Sequence, residues 1–324
     1  MVSKILISIA MIPVVYLLIA CGLILSQWPL KRLPNIESLD FSDVPTGDTP
    51  AEPDKLEMRD GYQLPVRRYG APDNENLIVL VHGSGWHGMQ FHQLARSLSE
   101  QAFVLVPDLR GHGASPLRRG DIDHIGQFEE DLADLIDQFR QAGQKVTLVG
   151  HSSGGGLVVR MAGGAYRDRM DKAVLLSPFL HHRAPTTRSN SGGWAKPLTR
   201  RLIGLSMLNN IGITALNHLT AIQFAMPQAI LDGPLGHTAT TAYSFRLNTS
   251  YAPRNNYQKD IEKLPPFMLV VGSKDEAFIA KEFEPLLTQY SDKGVYHLND
   301  DVGHLGIVNA QQTRDLILTY ISSD

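Results

Sequence analysis

The longest apolar run in the chain, Ile5 to Leu25, carries no charge and is interrupted only by Ser8, Pro13, Tyr16 and Gly22. About 20 helical residues at a 1.5 Å rise match a hydrocarbon core of roughly 30 Å, so residues 5–25 are predicted as a transmembrane helix or signal anchor. Residues 26–54 follow as a linker, with Pro34, Pro45, Pro50 and Pro53 set among Asp, Glu, Ser and Thr. From residue 55 the pattern changes to short apolar runs alternating with helical periods. Lys55–Met58 and Leu64–Tyr69 flank Asp60-Gly61, a hairpin signal. Strand-like runs at Leu77–Val81, Ala102–Val106, Val146–Val149 and Lys172–Leu176 are separated by helical stretches at Phe91–Glu100 and Glu129–Gln141 and by one beginning near Gly155. In Glu129–Gln141, Leu132, Leu135, Ile136 and Phe139 share one face.

This alternation predicts an α/β fold with a largely parallel sheet covered on both faces. Residues 55–179 form the first part of the core. The repeat breaks over 180–260, which is read as a helical cap insertion. It resumes over 261–324 with strands at Phe267–Val271 and Gly294–Leu298 and helices at Lys281–Tyr290 and Ala310–Ile321.

Composition narrows the function classes. The formal net charge of −3 gives no reason to expect nucleic acid as a partner. The sole cysteine, Cys21, excludes an internal disulfide and a thiolate metal cluster. Its context, Leu18-Ile19-Ala20-Cys21, resembles a bacterial lipobox, so a lipoprotein is the alternative to an uncleaved anchor. The expected location is a membrane, as a single-pass anchor in the bacterial inner membrane. Lys4 on one side and Lys31 and Arg32 on the other leave the orientation open.

The chemistry is concentrated where a strand meets a helix. Gly150-His151-Ser152-Ser153-Gly154 follows the Val146–Val149 strand, the setting of a nucleophile elbow that lifts a serine hydroxyl above the sheet. A serine needs a base, a group to orient that base, and an oxyanion site. Asp275 lies in the loop after Phe267–Val271, with Glu276 beside it as the alternative acid. Of the 12 histidines only His297 and His304 follow that acid, and His297 sits in a strand-like run, so His304 is the candidate base. The candidate catalytic set is therefore Ser152, Asp275 and His304. The glycine-flanked Ser84, in His82-Gly83-Ser84-Gly85, and Ser153 are the candidate oxyanion-hole donors, through their backbone N–H groups. His82 and His87 have no matching ligand cluster, and no metal is expected.

These motifs, with Asp108-Leu109-Arg110-Gly111-His112-Gly113-Ala114-Ser115, Gly272-Ser273-Lys274-Asp275 and Gly303-His304, resemble the serine-aminopeptidase, monoacylglycerol-lipase and lysophospholipase-like group of α/β-hydrolases over about residues 55–322. The resemblance implies a sheet of about eight strands, no cofactor, an acyl-enzyme route through Ser152, and a structural rather than catalytic turn at Asp108–Ser115. The expected activity is cleavage of a carboxylic ester, with a small-molecule or lipid ester as substrate. Apolar cap positions such as Phe179, Leu205, Leu208, Ile211, Phe224 and Met226 either line an acyl pocket or simply pack the cap. The alternatives are an aminopeptidase, with Asp232 or Asp260 holding the substrate ammonium, an acyltransferase, or a non-catalytic lipid-binding protein.

Overall fold

A computed structural model of the chain describes residues 2–31, 33, 38–41 and 51–322, with side chains from residue 11 onward. About half of the expected linker, including Pro34, Pro45 and Pro50, lies outside the described residues.

The chain opens with helix α1 (Val2–Leu25), followed by β1 (Asp54–Glu57), β2 (Gln63–Tyr69) and β3 (Asn76–Val81). Then come α2 (His92–Leu98), β4 (Phe103–Pro107), α3 (Gln127–Phe139), β5 (Lys145–His151), α4 (Ser153–Ala162) and β6 (Lys172–Leu176). The insertion holds β7 (Ala195–Pro197), α5 (Thr199–Asn210), β8 (Thr220–Phe224), α6 (Gln228–Leu231), β9 (Ala242–Ser244) and α7 (Phe245–Tyr251). The chain closes with α8 (Tyr257–Glu262), β10 (Phe267–Gly272), α9 (Phe283–Leu287), β11 (Gly294–Asn299) and α10 (Gln311–Ser322).

Eight strands form one sheet in the order β1-β2-β4-β3-β5-β6-β10-β11. The pairs β1/β2 and β2/β4 are antiparallel and the rest are parallel. This is the largely parallel sheet that the strand–helix alternation predicts, with the eight strands that the family resemblance implies. Strand alternation sorts the apolar side chains onto two faces. Leu77, Val79 and Val81 pack with Phe128, Leu132 and Ile136 of α3 and with Leu157 of α4. Ile78 and Leu80 point the other way, onto Leu94 and Leu98 of α2 and Ile317 and Ile321 of α10.

One expectation needs correction. The insertion is not purely helical: β7, β8 and β9 form a small antiparallel sheet. Runs of three to five residues are too short for apolar periodicity to separate strand from helix. The expected membrane span falls on α1. Its backbone is helical from Val2, but the predicted span 5–25 begins outside the residues whose side chains are described. Among the described residues no helix is long and apolar enough to cross a membrane; residues 11–25 cover about 22 Å at the helical rise.

The described end of α1 lies along cap helix α5. Ala20 and Ile24 are buried against Leu205 and Leu208. Tyr16 donates its hydroxyl hydrogen to the Met207 carbonyl at 2.8 Å. A Cβ on Gly204 would come within 2.6 Å of the Ala20 carbonyl oxygen, so the glycine permits the close approach. The buried Arg201 donates to the Gln27 carbonyl at 2.8 Å.

Candidate active site

The turn from β5 into α4 is built on close backbone approach. A Cβ on Gly150 would sit 2.4 Å from the Gly154 carbonyl oxygen, and one on Gly154 would sit 2.1 Å from that of Val81. Neither distance is attainable, so both flanking positions require glycine. Between them Ser152 adopts φ 53°, ψ −120°, a strained conformation for a residue with a Cβ. Its N–H donates to Leu176 O at 2.9 Å, and its carbonyl accepts from Gly156 N at 3.1 Å and Phe179 N at 2.9 Å. These bonds hold the strained residue between β6 and the first turn of α4.

The loops after β10 and β11 end at the same sheet edge. Ser152 Oγ lies 3.0 Å from His304 Nε2, and His304 Nδ1 lies 2.9 Å from Asp275 Oδ2. All three side chains are buried. With Nδ1–H donating to the carboxylate, Nε2 is left to accept the serine proton. The other carboxylate oxygen of Asp275 accepts from the N–H groups of Ala277 (2.9 Å) and Phe278 (2.7 Å). Burial alone would push the Asp275 pKa up, but the adjacent His304 and these hydrogen bonds hold it below the ordinary carboxylate value.

Glu276 does not reach the imidazole. Its Oε2 accepts the His304 backbone N–H at 2.7 Å, and its Oε1 accepts Asp40 N–H at 3.2 Å. His297 lies on β11, beside a groove it shares with Gln311 and Tyr320, away from Ser152. Asp260 is buried against Arg254 at 3.1 Å, and Asp232 accepts from Gln228 at 2.8 Å. Neither carboxylate lines the cavities beside Ser152.

Ser84 and Ser153 both line one of those cavities. Their N–H groups have no acceptor among the described residues. The loop bearing Ser84 is held from the cap. Tyr243 of β9 accepts the Gly85 N–H at 2.7 Å, and its oxygen lies 2.6 Å from His112 Nε2. Burial raises the Tyr243 pKa, so it remains a neutral phenol. Trp194 donates its indole N–H to Ser84 Oγ at 3.1 Å. Asp108 accepts Gly88 N–H at 2.8 Å and pairs with Arg67 at 3.1 Å, which is turn-building work rather than contact with Ser152.

His151 buttresses His304 from the elbow itself. Its Nε2–H donates to the His304 carbonyl at 2.9 Å, and its Nδ1 accepts from Gln90 at 3.2 Å. Burial, then the neighbouring His304, pushes its pKa down to about 3 and keeps it neutral. The sequence offers Glu276 only as the alternative acid and His151 only as part of the elbow motif; Tyr243 and Trp194 carry no local signal.

Comparison with known proteins identifies the family. The family model described as "Serine aminopeptidase, S33" matches residues 72–295. Lipase LipV of Mycobacterium tuberculosis is 37% identical over 115 residues, covering 36% of this chain and 41% of that protein. Human monoglyceride lipase is 30% identical over 155 residues, covering 46% of this chain and 47% of that protein. The chain thus spans less than half the length of these curated relatives. A soluble variant of monoglyceride lipase from Saccharomyces cerevisiae, solved with a substrate analog, superposes with a TM-score of 0.63 at 16% identity over 86% of this chain and 97% of that one. That likeness concerns the fold. The family match covers more than half of the sequence, and the chain belongs to the serine aminopeptidase S33 family of α/β-hydrolases.

Proposed function

We propose that this protein is a membrane-anchored serine hydrolase that cleaves carboxylic esters of apolar acyl chains, in the monoacylglycerol and simple carboxylic ester class. The observation that carries the reading is the unbroken, buried hydrogen-bond chain Ser152–His304–Asp275 opening onto an apolar cavity. In this reading His304 Nε2 takes the Ser152 proton as Oγ attacks the ester carbonyl. Asp275 fixes the tautomer and favours the imidazolium that forms. The N–H groups of Ser84 and Ser153 hold the oxyanion, each contributing about 3 kcal/mol to the transition state. Collapse expels the alcohol, which receives the proton from His304, and leaves an acyl group on Ser152. A water deprotonated by His304 then releases the acid and regenerates the serine.

The acyl preference rests on the cavity under the cap, walled by Phe179, Ile222, Phe224, Tyr243, Tyr251 and Phe278. Support comes also from the names of the relatives, a lipase and a monoglyceride lipase. Neither carboxylate that an aminopeptidase would use for the substrate ammonium faces this cavity. The anchor reading rests on the uncharged run Ile5–Leu25 and on the exposure of Met11, Ile12, Val14, Val15, Leu18 and Ile19 along α1.

The test uses the full chain in detergent. A fluorophosphonate should label wild type and not Ser152→Ala, and methyl esters of fatty acids of graded length should give a maximum at a medium or long acyl chain. Labelling that survives Ser152→Ala removes the nucleophile assignment. For the anchor, the intact mass of the membrane-extracted protein should show residues 1–25 retained; a species beginning at Cys21 with acyl additions replaces the helix with a lipid anchor.

A further inference from the structure

The cleft has two arms that meet at Ser152. One lies under the cap and is the acyl arm in the reading above. The other is flanked by His304, together with Trp86, Gln90, Leu305 and Asn309. An ester's alcohol oxygen leaves with the proton from His304 Nε2, so the alcohol must sit beside His304, in this second arm.

Two of its lining residues, Leu39 and Phe41, come from the segment between α1 and β1, outside the residues that carry the family match. Leu39 is only 7% exposed, although it lies in a stretch that reads as linker. The Phe41 ring sits 6.0 Å from that of Trp194, the residue that also holds Ser84. Between them, the Asp40 N–H donates to the same Glu276 carboxylate that holds the His304 backbone. The strap Ser38–Phe41 is thus seated on the site by apolar contact and a hydrogen bond. The arm it walls is small, about 30 Å³ against about 60 Å³ for the arm under the cap.

We propose that Leu39 and Phe41 are specificity-determining residues, which close the alcohol-side arm and restrict the enzyme to esters of small alcohols, of methyl to glycerol size. The inference rests on the ester-hydrolase reading. It gives the N-terminal extension a part in substrate choice, in addition to any part in attachment.

The experiment compares full-length wild type, Leu39→Ala, Phe41→Ala and the double variant on methyl and naphthylmethyl esters of one fatty acid. Opening the arm should raise the ratio of kcat/KM on the naphthylmethyl ester to that on the methyl ester about tenfold, the scale on which a pocket contact discriminates substrates. Phe41→Trp should move the ratio the other way. An unchanged ratio, or an equal fall on both esters, overturns the proposal. A second readout needs no substrate: phosphonofluoridates with methoxy or naphthylmethoxy substituents, followed by intact mass, should show the same shift in Ser152 labelling. Wild type that labels but hydrolyses no ester removes the substrate reading while the labelling ratio still decides the strap. Wild type that does neither overturns both.

Discussion

At Asp275 two effects oppose each other. Burial disfavours the carboxylate, yet the His304 imidazole and two backbone N–H groups hold its pKa below the usual value. Asp275→Asn keeps the shape but leaves His304 free to adopt the wrong tautomer, and kcat should fall by about 10⁴ with little change in Tm. Glu276 acts on the histidine backbone instead, so Glu276→Gln, which retains an acceptor, should recover most of the activity lost in Glu276→Ala. Equal losses in the two variants would show that the hydrogen bond at the His304 N–H has no bearing on rate. Burial, with His304 as the next cause, lowers the His151 pKa to about 3; burial also lowers the His82 pKa to about 4. An unfolded imidazole binds a proton below about pH 6.5, while these two do not. The unfolded chain therefore takes up protons that the folded chain refuses, and stability should drop as pH falls from about 6.5 toward 3. Urea midpoints at pH 7.5 and 5 should show a smaller loss for His151→Gln than for wild type.

At the scale of elements, the β5–α4 turn was legible because its demands are local. A glycine on each side of a serine, after an apolar strand, is a pattern written in seven contiguous residues, Val149–Gly155. Gly154→Ala should leave no properly folded enzyme, since the new methyl would overlap the Val81 carbonyl; circular dichroism and soluble yield would report it. The order Ser152, Asp275, His304 was also readable, because strand ends of a parallel sheet collect their loops at one edge. The cap was not. Its strands are short, and what makes them strands is pairing among residues far apart, such as Ala195 with Phe224 and Tyr243 with Ile222. Its contribution to the oxyanion loop was equally hidden. Tyr243→Phe removes the acceptor of the Gly85 N–H, so kcat should fall by about 10-fold to 100-fold with KM little changed, less than the loss of an oxyanion donor itself. A fall in KM-weighted binding alone would assign Tyr243 to the acyl wall instead.

At the scale of the whole molecule, α1 and the segment behind it pack against the α/β domain and its cap. Ala20 and Ile24 complete an apolar cluster with Leu205, Leu208, Ala221 and Phe245. Deleting residues 2–25 uncovers that cluster, and the truncated protein should self-associate in light scattering where the full chain in detergent does not. Gly204→Leu should loosen the same junction and lower the Tm of the full chain by several degrees, the effect of about 1–2 kcal/mol in a protein of this size. The sequence alone determined the parallel sheet, the elbow, the order of the triad and the apolar character of the first helix, because each depends on neighbouring residues or on strand-and-helix period. Only the tertiary structure decided that a linker segment walls the active site, that Glu276 and His151 hold the catalytic histidine by its backbone, and that the first helix rests on the cap. Those contacts join residues that lie from about twenty-eight to more than two hundred positions apart. No local pattern encodes such a meeting; it follows from where the sheet and its loops bring the chain back on itself.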